Sequence, residues 1–64
     1  MEKGFIYGFW YTTSKENYFF TGRRHYKKAD IFFREKKLKY SYVGSVSLKK
    51  EHFEKVELGI FKVL

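Results

Sequence analysis

Four consecutive residues, Arg23, Arg24, His25 and Tyr26, carry the side-chain types from which phosphodiester chemistry can be built. Arginine stabilises the charge of a phosphorane-like transition state, and histidine or tyrosine moves a proton. Adjacency alone is a weak arrangement. On a strand, neighbouring side chains point to opposite faces, which would pair Arg24 with Tyr26 and turn His25 away. A small ribonuclease therefore ranks below noncatalytic readings. His25 and His52 are the only histidines, and their spacing from Asp30, Glu51 and Glu54 outlines no metal site. Glycines 4, 8, 22, 44 and 59 are scattered, so no phosphate-cradling loop is present. A serine nucleophile elbow and a His-Glu-x-x-His motif are also missing. The sequence implies no cofactor and no catalytic set.

Charge says more. The chain has 14 Lys plus Arg against 7 Asp plus Glu, a formal net charge of +7. The excess is concentrated in Arg23, Arg24, Lys27, Lys28, Arg34, Lys36, Lys37 and Lys39. Only Asp30 and Glu35 oppose these eight cations, so the segment carries a net +6. Phosphate contacts require little beyond such a surface. Tyr26, Phe32 and Tyr40 lie among the charges, and single-strand binders combine a positive groove with stacking rings. Tyr40, however, falls on a stripe that a core also claims. No recognition helix is apparent, so major-groove readout is not expected.

The sequence thus reads as a noncatalytic nucleic-acid-binding module, with single-stranded DNA or RNA held by Arg23, Arg24, Tyr26, Lys27, Lys28, Phe32, Arg34, Lys36, Lys37 and Lys39. The alternative is a small protein-interaction or inhibitor module for an acidic protein surface, since net charge does not distinguish the two polyanions. An exposed Ile6 or Trp10 would mark a protein contact or a homodimer seam through the N-terminal strand. Membrane-surface binding would need an amphipathic helix longer than Lys49–Lys55 offers.

The elements that position these residues read as mainly β. At 64 residues the chain is one small basic domain, 1–64, without cysteine or proline. Aromatic residues make up 23% of it and must supply the burial that disulfides would otherwise supplement. Leu38–Leu48 alternates, with Leu38, Tyr40, Tyr42, Gly44, Val46 and Leu48 on one stripe, as a half-buried strand does. Gly4–Thr12 reads as a strand apolar on both faces, with Gly8 allowing a bend or a close backbone approach. Thr13–Asn17 is a turn and Tyr18–Thr21 its return strand. Arg23–Lys28 has no clear period. Ala29–Glu35 reads as a third strand with Ile31 and Phe33 on one face. A short helix is expected near 48–55, capped by Ser45 or Ser47, and a last strand over Val56–Val63.

These pieces predict a strongly curved antiparallel sheet, or an SH3- or OB-like barrel, of four or five strands. An open sheet covered by the Lys49–Lys55 helix is the rival. No apolar run approaches the length of a membrane span, and Met1-Glu2-Lys3-Gly4 lacks a signal-type run. A cytoplasmic location is the expectation.

Overall fold

The computed structural model describes residues 4–64. The first three residues, where the absence of a signal-type run was read, lie outside that range. Five antiparallel strands form one sheet: β1 (Phe5–Thr12), β2 (Asn17–Phe20), β3 (Ser41–Lys49), β4 (Phe53–Glu57) and β5 (Ile60–Val63). Their spatial order is β3-β1-β2-β5-β4, so β3 and β4 are edges and the sheet does not close into a barrel. The chain is mainly β, as its alternating segments imply.

The segment expected as the third strand is instead the helix α1 (His25–Lys36). A short alternation set Ile31 beside Phe33, yet Phe33 is fully buried and Ile31 is 59% exposed. The spacing that decides is helical. Ala29, Phe32 and Phe33 stand at i, i+3 and i+4, share one face and are buried. Arg, Glu and Lys fill much of the remainder, and all are good helix formers.

That face packs on β2. Tyr18 meets Phe32 and Phe33 with ring centroids 5.1 and 5.5 Å apart, and Phe20 meets both at 5.7 Å. Tyr11 and Ile60 complete the core, with Phe9 and Leu38 packed against it. Edge-to-face pairs of this kind contribute about 0.5–1.5 kcal/mol each beyond the area they bury. A cysteine-free chain of this length thus draws its stability from interlocked rings.

The opposite face of the sheet has its own anchor. Phe19, fully buried, lies 4.6 Å from Phe53, which in turn sits 5.6 Å from Phe61. Gly8 lets β2 approach β1 here: a Cβ at that position would stand 2.5 Å from the Phe19 ring and 2.7 Å from the Phe20 carbonyl oxygen.

β3 keeps the alternation but not its continuity. Trp10 pairs with Gly44 and Tyr11 with Tyr42, so Val43 is an extra residue in the ladder. Gly44, next to it, holds a positive φ of 152°. The bulge turns the stripe over. Gly44, Val46 and Leu48 face away from α1, while Tyr42 stands on the helix side, 5.0 Å from Tyr11.

Thr13 holds the β1–β2 turn. Its hydroxyl accepts from the backbone N–H groups of Lys15 and Glu16. The C-terminal third departs from expectation twice. The short helix near 48–55 is a single 3₁₀ turn, Lys50–His52. Beyond it, Val56–Val63 is not one strand. Leu58 and Gly59 reverse the chain, so β4 and β5 form a hairpin.

Candidate nucleic-acid interface

The basic block occupies α1 and its two flanks. Gly22, at φ 96°, turns the chain out of β2, and Arg24 takes the N-cap position without a capping side-chain hydrogen bond. Arg23, Arg24, Lys27, Lys28, Arg34, Lys36, Lys37 and Lys39 are all exposed. They do not point one way. Helical geometry sets Lys27 and Arg34, two turns apart, on the outward stripe. Lys28 leans to the β5 side, where its Nζ donates to the Thr21 carbonyl at 3.3 Å. Lys36 Nζ lies 4.9 Å from the centroid of Phe32. Arg34 Nε pairs with Asp30 at 3.3 Å, one helical turn away. This exposed pair leaves the other cations of the block without a recorded carboxylate partner among the described residues.

The aromatic residues expected among the charges divide sharply. Tyr26 is 57% exposed beside the arginines. Phe32 is 4% exposed and belongs to the core, so its ring offers no face for stacking. The cause is the helix: a strand would have set Phe32 opposite Phe33, whereas α1 buries both. Tyr40 lies stacked on Phe33 at 4.6 Å.

A second aromatic group, unforeseen in the sequence, surrounds the start of α1. His25 stacks on Phe9 with centroids 3.6 Å apart and planes 10° from parallel. The Tyr11 hydroxyl lies 2.7 Å from His25 Nδ1. Burial, with Tyr42 and Tyr40 adding to it, pushes the Tyr11 pKa up to about 12. Burial also holds His25 below its ordinary value. Tyr11 therefore keeps its proton, and with the imidazole neutral and protonated at Nε2 the hydroxyl donates to Nδ1. This assignment commits one nitrogen of His25 to a structural bond, which weakens the ribonuclease reading. Tyr26 and Tyr42 flank the imidazole at 5.8 and 5.7 Å. The clue lay in the stripe Phe5, Tyr7, Phe9, Tyr11, which is half tyrosine on a face that a buried strand would fill with aliphatic residues.

On the far side of the sheet a groove of about 670 Å³ has Ile6, Phe53 and Phe61 on its walls and Lys28, Lys50 and Lys55 at its margin. Its cations belong to three separate elements. Among the described residues, no cluster of histidine and carboxylate side chains could hold a metal ion, and no helix is long and apolar enough to cross a membrane. The N-terminal strand has no free edge, since β1 pairs with β2 and β3. Ile6 and Trp10, the residues of the expected homodimer seam, are half-buried on its far face.

No protein-family model matches the sequence, and neither a curated protein nor a solved structure matches the chain.

Proposed function

We propose that this protein is a noncatalytic nucleic-acid-binding module whose cations engage phosphates from the exposed side and flanks of α1. One observation carries the reading: all eight cations of the block are solvent-exposed on one twelve-residue helix and its flanks. The helix supplies a supporting detail. Its first turn contains no acidic residue, although carboxylates are favoured at that positive pole and cations are not. Arg23, Arg24, Lys27 and Lys28 crowd the pole instead. An anion bound there would relieve that repulsion. A cytoplasmic location belongs to the same proposal, as a compartment in which such a partner is met.

The test is fluorescence anisotropy with a labelled single strand. Affinity should fall steeply with salt, with a log–log slope of about 0.7 per phosphate contact. Lys27→Glu with Lys28→Glu should weaken binding and flatten that slope. Absence of binding at roughly 50 mM salt would overturn the proposal.

A second reading rests on β3. It is an edge strand, and Tyr42 and Val43 on it are 52% and 61% exposed. An acidic protein could add a strand there. Capture of a partner from extract that survives nuclease treatment and is lost in a β3 variant would favour this reading.

A further inference from the structure

Phosphate contacts from α1 do not say what the bases would meet. The sheet presents a surface for them. Along β1, Phe5, Tyr7, Phe9 and Tyr11 share the face that carries α1, and their partners on β3 are Lys49, Ser47, Ser45 and Tyr42. The helix covers only one end of this ladder. Tyr11 is 3% exposed, Phe9 lies beneath His25, and Tyr7 is 62% exposed. Tyr7 lies 5.8 Å from Phe9 with the ring planes 73° apart, not stacked on it. Ser45 and Ser47 are small and exposed, and Lys49 closes the open end. No carboxylate stands on any of these rungs.

We propose that this uncovered β1–β3 face, centred on Tyr7, stacks the unpaired bases of single-stranded nucleic acid. Lys49 at one end and Arg23 and Arg24 at the other hold the flanking phosphates. The inference rests on the nucleic-acid reading of α1 and adds the class of strand. Charge complementarity selects the occupant: an exposed ring one same-face rung from Lys49, beside a helix whose start carries Arg23 and Arg24, with no carboxylate on the rungs, suits a polyanion that carries flat bases. The serines interrupt the continuous apolar area that a protein-docking face would present. Base–aromatic stacking tolerates any sequence, because every base has a π-face.

The test compares a labelled single strand with a blunt duplex of equal length, at one low salt concentration, using Tyr7→Ser and Tyr7→Phe. Tyr7→Ser should weaken single-strand binding roughly five- to 150-fold. It should leave the salt slope and the duplex affinity in place. Tyr7→Phe keeps the ring and should retain binding. The exposure of Tyr7 predicts an unchanged melting temperature for both variants. Single-strand binding unaffected by Tyr7→Ser but weakened by Lys27→Glu with Lys28→Glu would overturn the stacking face and spare the helix reading. Equal losses for duplex and single strand would overturn it too, as would a dimer of the chain that depends on Tyr7. No binding by the unaltered protein would remove both proposals.

Discussion

The Tyr11 hydroxyl is hydrogen-bonded to Nδ1 of His25 across 2.7 Å, tying an interior strand to the first residue of α1. Donation from Tyr11 to Nδ1 requires a neutral imidazole. Burial lowers the His25 pKa below its ordinary 6.5, so the folded protein takes up this proton less readily than the unfolded chain. The linkage has one sign. The neutral form's contribution is fully present above pH 6.5 and is lost as pH falls through the lower folded value. An NMR titration should find the imidazole below 6.5, and thermal stability should decline on acidification from that point. His25→Asn removes the titrating group and should flatten that part of the profile. A measured pKa at or above 6.5 would show that the ring is not held as described.

Gly8 poses a different problem, because glycine in a strand interior is ordinarily a weakness. Replacing it by alanine normally gains about 0.5–1 kcal/mol. Here the added methyl would meet both a buried ring and the Phe20 carbonyl oxygen, a backbone atom that does not yield. Overpacking of this kind costs about 1–3 kcal/mol, so the close approach decides the sign. Set against that gain, the net loss is up to about 2.5 kcal/mol, so Gly8→Ala should lower the melting temperature by up to about 20 °C. An unchanged or raised melting temperature would mean that β1 and β2 do not approach as closely as the Phe19 contact implies.

Gly8 also marks how far the sequence alone can be read. The chain allows a bend or a close backbone approach at that residue, and the close approach occurs, because a glycine inside an alternating run has few other uses. The strand alternation of β1 and β3 was legible for the same reason. α1 was not. Phe32-Phe33 fits either period, and Ile31 tips a short window toward a strand. Only the longer spacing of Ala29, Phe32 and Phe33 distinguishes the helix. The error passed directly to the site, since it left Phe32 among the stacking rings. The cations are exposed despite it, because long charged side chains reach solvent from either kind of element. Tyr7 and Tyr42 escaped notice because their exposure depends on where α1 stops covering the sheet, and a local pattern does not contain that information.

The end of α1 yields a prediction that separates stability from binding. Lys37 holds a left-handed conformation, φ 57° and ψ 41°, and is the one described non-glycine residue with positive φ. The Lys37 N–H donates to the Arg34 carbonyl at 3.1 Å and the Leu38 N–H to that of Phe33 at 2.9 Å. This is the Schellman pattern, and Leu38 supplies its usual apolar contact by packing on the core. Glycine is the residue that this position favours. A side chain there costs about 1–2 kcal/mol, partly offset by the greater freedom that glycine loses on folding. Lys37→Gly should therefore stabilise the fold by about 0.5–1 kcal/mol, raising the melting temperature by about 2–8 °C. Lys37→Ala keeps the Cβ and should give no such gain. Both variants lose the same cation, so both should reduce the salt slope of nucleic-acid binding by the same amount if Lys37 contacts phosphate. Equal melting temperatures for the two variants would refute the backbone argument, and unchanged salt slopes would remove Lys37 from the interface.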